Sequence, residues 1–200
     1  EAEVAFCGHA TIALGAALGA EFGAGNYQLQ LNEAEISVRA EEGAQGWETT
    51  LRSPKTSYRE IEPELRGAIL PLFGWGDADL DPDLAIVRAN GGAEHVIVPL
   101  ARHKSLQDMA YDQARGAEIM RAYGLVTINL IWRENATHIH SRNPFAGHGV
   151  YEDPATGAAA AALAGYLRDS GARATPFEVS QGVDMGVPSR LFVTALDGVG

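Results

Sequence analysis

An internal repeat is the feature that most constrains what this chain can fold into. Residues 8–18 (Gly-His-Ala-Thr-Ile-Ala-Leu-Gly-Ala-Ala-Leu) and residues 153–163 (Asp-Pro-Ala-Thr-Gly-Ala-Ala-Ala-Ala-Ala-Leu) are identical at six of eleven positions. Alanine-rich helices match easily, so the shared Ala-Thr entry and the closing Leu carry most of the weight. The repeat predicts two copies of one unit, in which a turn leads into a buried helix wrapped by strands.

The segments around the two copies predict a mixture of helices and short strands. Helices are predicted at 10–22, at 57–70 with an interruption at Pro63, at 106–122 with Ser105 as its cap, and at 155–169. Strands are predicted at 27–31, 35–40, 46–52, 84–89, 94–100, 125–132, 136–142, 175–181 and 189–195. We place a domain boundary near residues 60–75.

Charge and composition exclude several classes of function. The formal net charge of the 200 residues is -11, with 15 basic residues scattered among 26 acidic ones. Nucleic-acid binding needs clustered Lys and Arg, so a nucleic acid is not expected as a partner. No apolar run reaches the roughly 18 residues that span a bilayer. The single cysteine, Cys7, cannot form an intrachain disulfide, which fits the cytoplasm.

The starts of the two repeated helices predict an anion-binding cleft. The first N–H groups of a helix have no partner within the helix, and together with the helix dipole they attract anions. Small residues at both starts allow a ligand to approach the backbone, and threonines can add hydroxyl groups. The candidate substrate-binding residues are Gly8, Ala10, Thr11, Ala155, Thr156 and Gly157.

Each helix start also carries an ionisable side chain. His9 lies at one and Asp153 at the other, with Cys7 and Glu152 beside them. A carboxylate in a closed cleft can have a raised pKa and can then take or give a proton. Opposed acid and base groups across a cleft are suited to a 1,1- or 1,3-proton shift, for which no metal or organic cofactor is needed. His9 and Asp153 are the candidate catalytic residues.

Four segments, in the expected order, are similar to signatures of the phenazine-biosynthesis PhzF-like family of isomerases and epimerases. They are Phe6-Cys7-Gly8-His9-Ala10-Thr11, Gly91-Gly92 followed by His95-Val96-Ile97-Val98-Pro99-Leu100, Gly149-Val150-Tyr151-Glu152-Asp153-Pro154-Ala155-Thr156-Gly157, and Gln181-Gly182-Val183-Asp184-Met185-Gly186-Val187-Pro188-Ser189.

The resemblance implies the α+β fold of diaminopimelate epimerase. In that fold two pseudo-symmetric domains, each a curled mixed sheet around a central helix, enclose the active site between them. We divide the chain accordingly into residues 1–65 and 66–200. The anion-binding helix starts predict a small carboxylate-bearing substrate. The resemblance further implies a homodimer that acts without a cofactor, with the histidine (His9) and the aspartate (Asp153) lining the site.

Departures from the family pattern affect the expected substrate. The family often has Ser where this chain has Ala158 and Arg where it has Val187. Its main proton carrier is a glutamate upstream of the Cys-Gly-His signature, and this chain begins too late to contain it. A strand is predicted at residues 4–7, almost at the first residue, and we expect residues to be missing at both ends.

Other interpretations of the same residues stay open. Cys7 fits a small buried apolar side chain, His9 a helix-capping histidine, and Asp153 the N-cap of the second helix with Pro154 following it. His148 can contact substrate or lie in a solvated loop.

The alternative function at the level of the whole protein is a small-molecule-binding protein without catalysis on the same fold. A weaker alternative is a metal hydrolase that uses His138 and His140, which alternate along one strand. The sequence places no third ligand beside them, so no metal is expected.

Overall fold

The computed structural model describes residues 7–31, 35–44, 46–172 and 176–196. Within those residues the α-helices are α1 (Gly8–Phe22), α2 (Pro63–Leu72), α3 (His103–Gln107), α4 (Gln113–Ala122) and α5 (Gly157–Asp169). The strands are β1 (Gly25–Gln30), β2 (Glu35–Gly43), β3 (Gly46–Arg52), β4 (Ser57–Glu60), β5 (Val87–Asn90), β6 (Glu94–Leu100), β7 (Thr127–Arg133), β8 (His138–Phe145), β9 (Val150–Asp153), β10 (Phe177–Gln181) and β11 (Ser189–Val193).

The strands form two sheets, each associated with one of the repeated helices. β1, β2 and β3 make an antiparallel three-stranded sheet that packs against α1. The larger sheet has the order β11, β10, β8, β7, β6, β5, β4, with β9 paired to β8. It is mixed, because β6 with β7 and β8 with β10 run parallel. The predicted α+β fold with a helix on each of two sheets is confirmed.

The larger sheet is buried on both of its faces. One apolar cluster joins it to α2 and α4 and contains Val96, Val98 and Leu130, and a second joins it to α5 and contains Ile97 and Ile131. Alternate residues of β6 therefore point into different clusters, which explains why β6 is a continuous apolar run in the sequence. α5 is buried on nearly all sides, in agreement with its alanine-rich sequence.

α1 packs against the small sheet through glycines. A Cβ atom added at Gly19 would lie 2.5 Å from Cε3 of Trp47, and one added at Gly15 would collide with Val38. The opposite side of α1 is exposed, including Leu14. The expectation that α1 is buried all round is therefore wrong for the described residues, because a sheet of three strands covers only one side of it.

The helices predicted at 57–70 and 106–122 have different bounds in the structure. The segment 57–70 divides into strand β4 and helix α2, and Pro63 begins α2 instead of interrupting a longer helix. Proline is tolerated there because the first N–H groups of a helix have no partner to lose. Ser105 lies within the short helix α3, and α4 is capped by Asp112, whose side chain accepts from Arg115 N.

The chain leaves the small sheet at Arg52 and enters the large sheet at Ser57. This change of sheet lies some residues before the division that we placed between residues 65 and 66, which stays a prediction. Residues 4–6 of the strand predicted at 4–7 are outside the described part of the chain. Among the described helices, none has the length and apolar character needed to cross a membrane.

Replacing Gly19 with Leu is expected to lower the free energy of unfolding by about 1–3 kcal/mol, because the side chain must displace the Trp47 ring. This loss should occur although Leu has the higher helix propensity. Denaturant unfolding measures it. Ala20→Leu, on the exposed side of the same helix, is the matched control, and an equal loss in both variants would contradict the packing described here.

Candidate active site

The starts of α1 and α5 meet at one cavity of about 300 Å³. Gly8 and Gly157 lie in contact there: a Cβ atom added at Gly8 would lie 3.2 Å from Gly157 Cα. The predicted residues that line the cavity are Gly8, His9, Asp153, Ala155, Thr156 and Gly157. Ala10 and Thr11 follow on α1 and do not line it. The repeat thus brings its two copies to one place.

Both helices begin without a side-chain cap and without an acidic residue in the first turn. The first backbone hydrogen bond inside α1 runs from Thr11 N to Cys7 O, and the corresponding bond in α5 runs from Ala160 N to Thr156 O. The N–H groups that precede these donors have no helical acceptor. Four of the residues that carry them line the cavity, together with the positive ends of both helix dipoles: Gly8, His9, Gly157 and Ala158.

The two threonine hydroxyl groups are used within the protein. Thr11 Oγ1 donates to Cys7 O at 2.8 Å. Thr156 Oγ1 donates to Asp153 Oδ2 at 2.6 Å, and Thr156 N donates to Gln181 Oε1 at 3.1 Å. A substrate contact through either hydroxyl proton would have to replace one of these bonds. Their roles as substrate-binding residues stay predictions.

Gln181 holds the turn from Asp153 to Thr156 in place. Its buried amide group donates from Nε2 to Asp153 O at 2.6 Å and to Thr156 Oγ1 at 2.9 Å. Ser189 Oγ also donates to Pro154 O at 2.8 Å. The residue that begins the last family signature therefore positions the second helix start. The sequence marked the signature but not this role, because Gln181 lies 25 residues or more from the residues that it holds.

Asp153 does not cap α5, contrary to one of the interpretations above. The N-cap is Thr156, and α5 begins at Gly157. The Asp153 carboxylate reaches the helix start only through the Thr156 hydroxyl group. It remains partly exposed at the cavity, with a lone pair available for other partners.

Glu152, beside Asp153, is a buried structural residue. Arg142 donates to it from Nε at 3.0 Å and from Nη2 at 2.6 Å, and Arg142 Nη1 donates to Gln107 O at 2.9 Å. This bidentate pair anchors β9 to β8 and to the end of α3. Glu152 is therefore not free for proton transfer.

His95 lies at the floor of the cavity and was not among the predicted site residues. It is fully buried, and its Nδ1 lies 2.8 Å from Thr127 Oγ1. The parallel pairing of β6 and β7 places these two residues side by side. Burial lowers the pKa of His95 to about 3, so the ring is neutral at physiological pH.

A row of buried hydrogen bonds assigns the tautomer of His95. Asn129 Nδ2 donates to Ala159 O of α5 at 3.4 Å, so Asn129 Oδ1 accepts from Asn143 Nδ2, also at 3.4 Å. Asn143 Oδ1 then accepts the single hydroxyl proton of Thr127 at 3.0 Å. The hydroxyl oxygen of Thr127 can therefore only accept a hydrogen bond from His95. The proton of the His95 ring is consequently on Nδ1. Nε2 carries a lone pair and is buried without a partner among the described residues.

His148 supplies a second unpaired nitrogen at the same cavity. Its ring stacks on Phe145 with the centroids 4.6 Å apart, and its Nδ1 is buried without a partner in the described part of the chain. Buried polar atoms are normally paired. Both rings line the cavity, and their two unpaired nitrogen atoms are themselves buried from solvent.

Cys7 and the pair formed by His138 and His140 are the remaining candidate groups. Cys7 lines the cavity but is exposed, so it is not the buried apolar residue that we considered. His138 and His140 lie on β8 outside the cavity lining. A larger depression of about 530 Å³ contains Arg133 and Asp81, which pair with each other at 2.7 Å, and it lacks the unpaired groups of the smaller cavity.

Comparison with known proteins identifies the family. The family model described as phenazine biosynthesis-like protein matches residues 1–198. The chain belongs to the phenazine biosynthesis-like family.

Relatives of the chain bear the names of isomerases. An uncharacterized isomerase of Deinococcus radiodurans is 30% identical over 84% of this chain and 56% of its own length. An uncharacterized isomerase of Mesorhizobium japonicum is 29% identical over 94% of this chain and 67% of its own length. This chain therefore spans a little over half of the first relative and about two thirds of the second.

Solved structures share the fold. A predicted epimerase from Pseudomonas aeruginosa has a TM-score of 0.82 at 23% identity, over 98% of this chain and 70% of that one. A PhzF-family phenazine biosynthesis protein from Bacillus anthracis has a TM-score of 0.77 at 20% identity, over 96% of this chain and 69% of that one. At this level of identity the likeness concerns the fold.

His95 should make the stability of the protein depend on pH. Between about pH 3 and 6.5 an unfolded His95 binds a proton that the folded protein excludes, so the free energy of unfolding falls as the pH decreases through this range. The slope from this one group approaches about 1.4 kcal/mol per pH unit. Urea unfolding between pH 7.5 and 4.5 should show a shallower dependence for His95→Gln, and parallel curves would contradict the assignment.

Proposed function

We propose that the protein is an isomerase, either a racemase or epimerase or a double-bond isomerase, that moves a proton on a small carboxylate-bearing metabolite. The observation that carries the proposal is the convergence of two uncapped helix starts, with His9 and Asp153 beside them, on one cavity. Family membership and the isomerase names of relatives support it.

In the proposed complex, the substrate carboxylate lies against the unpaired N–H groups at Gly8 and Gly157. These donors are backbone atoms, so they are already oriented and lose no side-chain entropy on binding. Each helix dipole favours an anion by about 0.3–1 kcal/mol, and by more where the site is partly buried. The contact between the two glycines supports binding of one small anion by both sets of donors.

The proposed reaction is a proton transfer through an enolate. One group removes a proton from carbon, and the C–H electron pair moves toward the carboxylate, where the helix starts stabilise the developing charge. A second group returns a proton to carbon. We assign the exchange to Asp153 and His9, assisted by the glutamate that the family resemblance implies upstream of the Cys-Gly-His signature and outside the given sequence. No metal or organic cofactor takes part in this proposal.

The neutral His95 restricts the substrate further. Its Nε2 can accept a hydrogen bond but cannot donate one, and burial keeps the ring from becoming charged. Nε2 is buried, so a substrate reaches it only if the cavity lining shifts. A substrate with an O–H or N–H group near its carboxylate would then pair with it, whereas a second carboxylate there would be repelled. We therefore propose amino or hydroxy carboxylates as the substrate class.

The alternative is a protein that binds the same ligands without catalysis. The cavity and its donors fit that alternative equally well, and Ala158 in place of the serine frequent in the family supports it. A homodimer in secondary metabolism, with phenazine biosynthesis as the named example, is proposed from the family resemblance alone, and a cytoplasmic location is proposed from the single cysteine.

Incubation of the full-length protein in deuterated water with a panel of amino, hydroxy and unsaturated carboxylates tests the reaction. We expect deuterium at carbon in at least one compound, detected by NMR and mass spectrometry. Asp153→Asn and His9→Gln should each reduce the exchange at least about a hundredfold, since a positioned acid or base contributes 10²–10⁴-fold.

Glu178→Gln is the control for this experiment, because Glu178 is a carboxylate outside the cavity that pairs with Arg190. Full exchange in Asp153→Asn would refute its assigned role. Binding without exchange by the unchanged protein would favour the non-catalytic alternative.

Replacing Gly8 with Val should weaken carboxylate binding about tenfold, which corresponds to about 1.4 kcal/mol. The branched side chain would force Gly157 away and separate the two helix starts. NMR titration with a carboxylate from the panel measures the affinity. Ala13→Val adds the same side chain at an exposed position of α1, and an equal loss in both variants would argue against joint binding by the two starts.

A further inference from the structure

Three potential metal ligands converge at the hairpin that joins β7 to β8. Glu134 Oε2 lies 2.8 Å from His138 Nδ1 and 3.2 Å from His140 Nε2. All three ligand atoms lie within 4.8 Å of one another. The sequence indicated His138 and His140 as a pair. The fold brings the carboxylate of Glu134 beside them as the third ligand.

We propose that Glu134, His138 and His140 form a binding site for a divalent zinc ion. Two imidazole nitrogens and one carboxylate oxygen are a ligand set that zinc accepts, with a fourth position open to water. Ligand atoms around a tetrahedral zinc ion at bond lengths of about 2.1 Å are about 3.4 Å apart. To reach that value, the distance from Glu134 to His138 must lengthen by about 0.6 Å and the distance from Glu134 to His140 by about 0.2 Å. The two histidine nitrogens lie within 4.8 Å of each other, so a rotation of the side chains can bring them to the same spacing.

The hairpin holds the three side chains in this arrangement. His138 and His140 are two residues apart on β8 and so lie on the same face of the sheet. The turn brings Glu134 back to them, because Glu134 N donates to His138 O at 3.1 Å. Within the turn, Asn135 Oδ1 accepts from Thr137 N at 2.9 Å. The ligands are therefore carried by a hydrogen-bonded hairpin.

Neighbouring side chains orient the two rings. His138 Nε2 lies 2.8 Å from Ser180 Oγ on the adjacent strand β10, so a proton on Nε2 can be donated to the hydroxyl group while Nδ1 faces the metal. Such an outer hydrogen bond is the usual support of a metal-bound histidine. His140 lies against the ring of Trp132, with the centroids 5.3 Å apart, and against His103 at 4.5 Å.

Without a metal the same contacts are hydrogen bonds from the two rings to the carboxylate. The Ser180 hydroxyl group can donate as well as accept, so it suits either tautomer of His138. Two features favour the metal: a single oxygen atom is shared by both rings, and the net charge of -11 attracts cations. The site is separate from the proposed isomerase site, because neither histidine lines that cavity.

Isothermal titration of the full-length protein with zinc chloride tests the proposal, using protein from which any polyhistidine tag has been removed. We expect one ion per chain. Each of Glu134→Gln, His138→Gln and His140→Gln should weaken binding by at least about tenfold, the lower limit for loss of an outer-shell partner. With cobalt(II) as the probe, visible absorption typical of tetrahedral coordination should appear and be lost in the same variants.

Two control variants separate this site from other cation binding. His148→Gln changes the isomerase cavity, and Glu178→Gln removes a carboxylate on β10; both should bind zinc as the unchanged protein does. No binding at millimolar zinc, binding unaffected by the three substitutions, or loss of binding in His148→Gln would each overturn the proposal. Circular dichroism verifies that the variants are folded. If a variant does not fold, imidazole ¹⁵N shifts of the unchanged protein upon zinc addition decide whether His138 and His140 are ligands.

Discussion

The candidate active site depends on the contact between Gly8 and Gly157. A helix start can bind an anion only if the ligand reaches the backbone, and two starts can share one small anion only if they nearly touch. A Cβ atom at Gly8 would lie 3.2 Å from Gly157 Cα, which requires a shift of a few tenths of an ångström, so a larger side chain at Gly8 would separate the two starts. The absence of side chains there allows α1, on the small sheet, and α5, on the large sheet, to present their N–H groups to the same cavity.

Other residues of the site hold the two helix starts in position and determine which atoms can donate or accept hydrogen bonds there. Gln181 and Ser189 hold the turn that precedes α5, and the pair formed by Arg142 and Glu152 holds the strand that leads into it. Behind the cavity, a row of buried side chains runs from a carbonyl group of α5 to His95. Because each amide in this row presents its oxygen to the next donor, the order of the bonds from the helix carbonyl leaves Nε2 of His95 without a proton. The chemical character of the cavity floor is thus set by an atom of the fold some distance away.

Much of the fold could be predicted from the sequence because it depends on local patterns. The small-residue helices α1 and α5, the alternating strands β1 to β3 and the apolar run of β6 lie close to their predicted positions. Predictions failed where local signals compete. Pro63 is compatible with either the interruption or the start of a helix, and Ser105 is compatible with a cap or an interior position; tertiary packing selects between them. The exposed side of α1 could not be foreseen either, since apolar residues alone do not tell how many sides a sheet will cover.

The sequence by itself determined the two helix starts, the residues beside them and the family to which they belong. These are contiguous signals, in which the informative residues are neighbours along the chain. Only the tertiary structure decided that His95 lines the same cavity, that Gln181 holds Asp153, and that Glu134 joins His138 and His140. The physical reason is the same in each case. Strand pairing and burial bring together side chains that are distant in sequence or separated by a turn. Which atom then donates each hydrogen bond depends on the partners that the fold places beside it.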